Sequence, residues 1–289
     1  MGNSPEFTLR VGNATDPQTL DPQLLVDLQQ IAIARGLFEG LVILDEETLE
    51  PIPAVAERWE ISRDGCVYTF FLRQNLRWSD GKPLTATDFT FALQRILSPQ
   101  LCSPAVELIF PIKNARAYYE GKVSWDAVGV CAIDEHRLQI VLQRPTPHFL
   151  SLLAHPAWSP LPQRVVEACG SITQRDSSWT RAGKMVSNGP YRLREWHVGN
   201  RVSLEKNPYY RDDLREAPAR IIFYSIGDAI TEQNAFDGGE IDITATIPPD
   251  RVDMLRRNDP ESLSEVASLG VFYYMFQCER EPLSNIHLR

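Results

Sequence analysis

The chain has 289 residues, 43% hydrophobic and 23% charged, a balance that packs a core and argues against bulk disorder. Its formal net charge of −9, with no dense Lys/Arg run, would repel a phosphate backbone, so nucleic acid is not expected as a partner. The longest apolar runs, IIFY (221–224) and VFYYMF (271–276), are far shorter than the ~20 residues a membrane-crossing helix needs.

MGNSPEF (1–7) reads as a start codon and a cloning scar, which contributes no core contacts. TLRVGN (8–13) then alternates as a strand does. Two Asp-Pro pairs break it, and a helical pattern follows through IAIARGLFEGL. From residue 41 to 162 the pattern changes to short strands and loops around one clear helix: VYTFFLR strand-like, LTATDFTFALQRIL helical, HRLQIVLQRP strand-like. Beyond residue 164 the expected strands are GPYRLREWH, RVSLEKN, ARIIFYSI, GEIDITA and GVFYYMF. Helices are expected near 230–236 and 251–257, the second ending on Arg256 and Arg257, where cations suit the helix dipole. Residues 220–226 are apolar on both alternating faces, the mark of a strand inside an α/β sheet. The composition shifts near Leu41 and Pro162 suggest one segment inserted into another domain.

The stretch LRQNLRWSDGKPLTATDF (72–89) holds the densest signals. Tyr68, Phe70 and Leu72 share one strand face. Ser79-Asp80-Gly81 supplies a tight turn, with Gly able to take positive φ. Thr85 is placed to cap the next helix, with Asp88 in its first turn. Phe89, Ala92, Leu93, Ile96 and Leu97 fall on one helical face, and Ser98-Pro99 ends it. Each residue has a structural role, and Asp80 with Asp88 is read as turn and helix start rather than as a paired-carboxylate site.

Chemistry-bearing motifs are few. The five cysteines are scattered without a C-x-x-C pair and read as free thiols. The five histidines (His136, His148, His155, His197, His287) form no H-E-x-x-H, and there is no G-x-S-x-G elbow. The Gly-Lys pairs at Gly81, Gly121 and Gly183 lack the upstream glycine of a phosphate-cradling loop. No catalytic residue, metal site or cofactor is therefore expected, and an enzyme is the less favoured class.

The block from Ala56 to Pro99 closely resembles the signature region of the oligopeptide/dipeptide-type extracytoplasmic solute-binding proteins, the family 5 receptors of bacterial ABC importers. The resemblance rests on Ala56-Glu57, Trp59, Asp64-Gly65, Tyr68, Phe70, Leu72-Arg73, Trp78, Asp80-Gly81, Pro83, Thr85-Ala86 and Asp88-Phe89. LDP (20–22), LFEGL (37–41), HPAWSPLP (155–162), SNGPYRLREW (187–196), LEKNPYY (204–210), GEIDIT (239–244) and LGVFYYMF (269–276) extend it in the same order.

The resemblance implies an α/β fold class: a periplasmic-binding-protein-like (type II) lobe with an inserted α+β subdomain, the second lobe absent from this chain. Residues 8–40 and 163–270 would form the first ligand-binding lobe, 41–162 the inserted subdomain, and 271–289 a crossing strand and the start of a second lobe. The function it implies is capture of peptides in a cleft between lobes and delivery to the permease subunits of the importer, in a periplasmic or extracytoplasmic setting. Membrane association would come only through the permease or a removed lipid anchor. The ligand would lie extended and pair through its backbone, as an added strand does. Carried over residue by residue, the cleft wall comprises Val26, Asp27 and Leu28, then Ala105 after Ser103-Pro104, Ala245 and Thr246 after GEIDIT, and Tyr273 and Met275 on the crossing strand. Each position is equally readable as ordinary packing. In oligopeptide binders acids occur near the positions of Val26 and Met275, and an aromatic often follows the Ser-Pro. This chain is apolar there, which leaves open a non-peptide ligand of the same family (a nickel complex, haem, glutathione or a sugar) or an interaction module.

Overall fold

The computed structural model describes residues 7–266, 271 and 273–288. The chain divides into two units, 1–246 and 247–289. Residues 1–6, read above as a scar, lie outside the described residues; Phe7 is half-exposed, and its carbonyl accepts the Ala219 N–H at 2.9 Å.

The first unit opens with β1 (Thr8–Gly12) and α1 (Leu28–Leu37), followed by a small hairpin of β2 (Val42–Leu44) and β3 (Pro51–Pro53). β4 (Ala56–Ile61), β5 (Val67–Leu72) and α2 (Ala86–Ile96) come next, then the short α3 (Ala115–Tyr119), β6 (Val130–Asp134) and β7 (Arg137–Val141). Two short helices, α4 (Phe149–Leu152) and α5 (Gln163–Ala168), lead to β8 (Tyr191–His197), β9 (Arg201–Lys206), β10 (Arg220–Tyr224) and α6 (Ala229–Asp237).

Two four-stranded sheets result. The first runs β1-β10-β9-β8, with β1 parallel to β10 (Val11 opposite Phe223) and the other pairs antiparallel. The second, β4-β5-β7-β6, is antiparallel throughout. Three edge strands, β4, β6 and β8, each carry a register shift. Such bulges bend an edge away from flat pairing with another chain.

Each sheet has its own core. Ile33, Leu37, Tyr191, Val202, Leu204 and Phe223 fill the first together with Trp179, and Tyr68, Phe70, Leu72, Trp78, Leu138 and Phe149 belong to the second. Helix α2 serves both. Its predicted stripe Phe89, Ala92, Leu93, Ile96 and Leu97 is buried, and so are Phe91 and Arg95. Phe89, Leu93 and Ile96 enter the second core, Phe91 and Ala92 the first. A helix covered on more than one face loses the polar stripe that sequence periodicity leads one to expect. Thr85 and Asp88 form the capping box at its start, with the Thr85 N–H donating to Asp88 Oδ2 at 2.9 Å.

The turn at 78–81 ties distant segments together. The Ser79 N–H donates to the Ser187 carbonyl at 2.8 Å, and the Ser187 N–H returns to Ser79 Oγ at 3.1 Å. Gly81 has φ +82°, and a Cβ there would stand 3.0 Å from the Tyr209 ring. Asp80 accepts the Lys82 N–H at its own turn and pairs with Arg164 near the surface. Exposed pairs of this kind contribute little, so Asp80→Asn is expected to change unfolding free energy by less than about 1 kcal/mol in urea denaturation. A loss of several kcal/mol would show that the pair does more than close a turn.

Three predicted strands differ in the structure. Residues 220–224 do form β10 inside a sheet, but only Phe223 is buried and its neighbours are half-covered. GEIDITA (239–245) reduces to a single parallel bridge, Ile243 to Val11. In the second unit, none of the described residues of 271–276 lies in a strand. Apolar alternation makes a strand only where a neighbouring strand supplies the ladder. That unit contains α7 (Pro249–Asn258), whose last turn carries Arg256 and Arg257 as expected; Arg256 pairs with Asp253 at 2.8 Å and with Glu265 at 2.9 Å.

Candidate functional site

Val26, Asp27 and Leu28 stand where the loop after β1 turns into α1. Asp27 is the N-cap: its Oδ1 accepts the Gln30 N–H at 2.7 Å, while Gln30 Oε1 accepts the Val26 N–H at 3.0 Å. This reciprocal cap sets the backbone so that the flanking side chains face outward, Val26 59% and Leu28 76% exposed. Two large apolar side chains are thus held in water on either side of a satisfied cap.

The loop behind them is held by a buried polar cluster. Arg95 of α2 and Asp21 of the LDP motif, 0% and 1% exposed, pair at 2.6 Å (Nη2–Oδ2) and 3.2 Å (Nη1–Oδ1). Arg95 also donates to Gln23 Oε1 at 2.7 Å and to the Ile172 carbonyl at 2.6 Å. Gln23 Nε2 donates to the Ala92 carbonyl, and Ser103 Oγ to the Gln23 carbonyl, both at 2.6 Å. The loop carrying Val26–Leu28 is thus tied to the Ser103 turn. Ala105 itself is not presented there. Its N–H donates to Ser103 Oγ at 3.2 Å, and its methyl packs into the second core, 9% exposed. Cys102 and Pro104 are the exposed residues of that turn.

Ala245 and Thr246 are exposed, and a carboxylate holds them from behind. Glu232, on the first turn of α6 and 0% exposed, accepts the Ala245 N–H at 3.1 Å, the Thr246 N–H at 3.0 Å and the Thr246 hydroxyl at 3.0 Å. Two consecutive amides turned to one anion cannot alternate as in a strand, which is why the strand expected from GEIDITA does not form through Ala245. Gly12, the last residue of β1, makes the space: a Cβ there would lie 1.9 Å from Glu232 Oε1. Just upstream, Asp242 chelates Arg10 through both oxygens, at 2.6 and 3.1 Å, and this hydrogen-bonded pair keeps the Asp242 carboxyl below its usual range. Asp228 caps α6 through the Thr231 N–H at 2.8 Å and the Thr231 hydroxyl at 2.7 Å.

Tyr273 and Met275 lie in the second unit, exposed, and outside any strand, so the crossing-strand placement expected for them is not found.

The sequence reading missed Glu232, Gly12, and the Asp21–Arg95 and Glu39–Arg211 pairs. Glu232 hides in the pattern D-A-I-T-E, where it looks like an ordinary helix-start acid. Glu39 of LFEGL takes two donors from Arg211, one at 2.9 Å, and the Tyr210 hydroxyl at 2.8 Å. Burial, reinforced by the Glu39 charge, pushes the Tyr210 phenol up. The Tyr210 hydrogen bond joins two of the family-like motifs, LFEGL and LEKNPYY, and their co-occurrence was the available signal.

Two cavities lie in the first unit. A hollow of about 210 Å³ borders Val26, lined also by Leu24, Arg175, Ser177, Arg181 and Trp196, with the Arg181 guanidinium 4.7 Å above the Trp196 ring. A larger one, about 590 Å³, lies by the β2–β3 hairpin, among Arg35, Val42, Leu49 and Tyr210, away from the predicted wall. Among the described residues no group of three or more His, Cys, Asp or Glu could hold a metal ion, and no helix is long and apolar enough to cross a membrane.

Comparison with known proteins places the chain as a whole. The family description "Bacterial extracellular solute-binding proteins, family 5 Middle" matches residues 50–289. The chain is 35% identical over 285 residues to the periplasmic oligopeptide-binding protein OppA of Salmonella typhimurium, covering 98% of this chain and 51% of that protein. It is 35% identical over 288 residues to the probable deoxycholate-binding periplasmic protein YgiS of Escherichia coli, covering 99% and 52%. Among solved structures, Haemophilus influenzae OppA in complex with RPPGFSPFR matches with a TM-score of 0.88 at 29% identity, covering 99% of this chain and 55% of that one. The chain spans about half the length of the curated relatives it matches. With a match across most of its residues and the α/β architecture in common, the chain belongs to the family 5 bacterial extracellular solute-binding proteins.

Proposed function

We propose that this chain supplies one wall of the ligand cleft in the substrate receptor of a bacterial ABC importer, and that the ligand is a peptide. The observation that carries this reading is the exposed pair Ala245 and Thr246, held from behind by a buried carboxylate within a fold matched by a peptide-bound relative. A peptide lying extended along such a segment pairs through its own N–H groups, whatever its side chains are. The receptor releases its ligand unchanged to permease subunits, makes and breaks no bond, and works outside the cytoplasm, joined to the membrane through the permease or a lipid anchor. Residues 8–40 and 163–270 serve as the ligand lobe, 41–162 as an insertion and 271–289 as a crossing toward a second lobe. The two cores support the first part of that division, with Phe91 and Ala92 of α2 reaching across.

A second reading, a non-peptide ligand, has one observation in its favour. The exposed side chains at Val26 and Leu28 are apolar, and YgiS, described as a probable deoxycholate-binding protein, is as similar as OppA. Calorimetric titration with RPPGFSPFR and with deoxycholate separates the two: peptide binding is expected, and binding of the steroid alone would overturn the peptide reading.

A cleft gains affinity by enclosing its ligand between two walls. The 289-residue chain by itself is therefore expected to bind RPPGFSPFR at least ~100-fold more weakly than a chain extended to the family's full length, a difference of about 2.7 kcal/mol. Equal affinities would mean that one lobe forms the whole site.

A further inference from the structure

We propose that Glu232 is a positioning residue for the segment 244–246, which it turns into a paired carbonyl acceptor for ligand N–H groups; the ligand part of this proposal rests on the receptor reading above. A trans peptide unit directs its N–H and its C=O to opposite sides. The N–H groups of Ala245 and Thr246 both point at the Glu232 carboxylate, at 3.1 and 3.0 Å. The carbonyls of Thr244 and Ala245, which share those two peptide units, are therefore turned away from it, on a segment whose residues 245 and 246 are exposed. Among the described residues no backbone N–H donates to either carbonyl.

The carboxylate does more than hold the shape. Hydrogen bonds in series polarise one another, and an anion bound to the N–H side of a peptide unit strengthens the carbonyl as an acceptor. Its charge stays buried because it has three donors and sits in the first turn of α6, at the positive end of the helix. The position admits no slack, since Gly12 alone leaves room for Oε1. The chemistry selects ligands that offer N–H donors here, a main-chain amide or an ammonium group. A group with acceptors only, such as a carboxylate, is disfavoured.

The test compares the 289-residue chain with Glu232→Gln and Gly12→Ala, reading amide hydrogen exchange by NMR and binding of RPPGFSPFR. In Glu232→Gln the new side-chain amide would turn an NH₂ toward donors, and in Gly12→Ala the added methyl would displace an unaltered carboxylate. Both variants are expected to speed exchange at Ala245 and Thr246 by at least about 10-fold, and to weaken the peptide at least about 10-fold, the value of one lost charged hydrogen bond. Core amides such as Phe70 and Val202 should keep their protection. Should the single variants fold poorly, the cycle with Glu232→Ala decides: Gly12→Ala should then add no further destabilisation, because the atoms it strikes are gone. Retained protection at 245 and 246, or lost protection with peptide affinity intact, overturns the proposal. If neither the unaltered chain nor one extended to the family's full length binds the peptide, the receptor reading falls, and the exchange pattern alone upholds or overturns the role of Glu232.

Discussion

Arg95→Met is expected to lower the unfolding free energy by about 3–5 kcal/mol, the usual cost of stranding one partner of a buried ion pair. Asp21 would be left at 1% exposure without its cation, and Gln23 Oε1 and the Ile172 carbonyl would each lose a donor. The methionine fills much of the arginine stem, so the loss reports the unpaired charge more than a cavity. Asp21→Asn in the Arg95→Met background should recover a good part of the loss, because the buried anion then disappears. The effect should reach the proposed site. Gln23 ties the loop before Val26 to both α2 and Ser103, so the Val26–Leu28 segment should become more mobile by NMR relaxation before the protein unfolds. Urea denaturation of the two variants settles the matter: a loss below about 1 kcal/mol for Arg95→Met would mean that water replaces the guanidinium and the cluster is not the anchor described.

The same cluster shows what a sequence reveals and what it conceals. The cap, the apolar stripe and the end of helix α2 were legible, because those signals are local and spaced by the helix itself. Strands β5, β8 and β9 were legible for the same reason. Arg95 was not, since nothing in its neighbourhood says that both faces of α2 are covered, or that its partner lies 74 residues earlier. Val26 and Leu28 were expected at a ligand wall from the resemblance alone, and the cap at Asp27 supplies the reason they face water. Ala105 was carried over on the Ser-Pro turn, which is present, and the small residue after it packs inward. Glu232 and Gly12 form a contact between distant parts of the chain, and only the folded chain reveals that the glycine is there for space rather than for its φ. The strand expected at 239–245 shrank to a bridge, and none forms at the described residues of 271–276, because alternation describes a face and not a neighbour.

Trp78→Ala is expected to cost about 3–5 kcal/mol, through loss of burial and the cavity left in the second core, where Trp78 is 1% exposed. Its indole does a second job that Trp78→Phe isolates. Burial raises the Asp88 carboxyl to about 6, against hydrogen bonds from Thr85 and Trp78 that hold it down. An acid with its folded pKa above its unfolded one binds its proton more tightly when folded, so its contribution to stability is full below about pH 3.8 and is lost as pH rises through about 6. The displacement amounts to about 3 kcal/mol. Wild-type stability minus that of Asp88→Asn, followed by urea denaturation from about pH 3 to 8, should therefore fall by about this much and level off above about pH 7. The asparagine in that variant can still accept the Thr85 N–H, so the cap survives and the difference isolates the charge. Trp78→Phe removes one of the donors that favour the anion, and its Asp88 should titrate higher than about 6 with the fold retained. A flat difference curve would mean that Asp88 is solvated in the folded chain, and an unmoved midpoint in Trp78→Phe would mean that the indole does not bond to it.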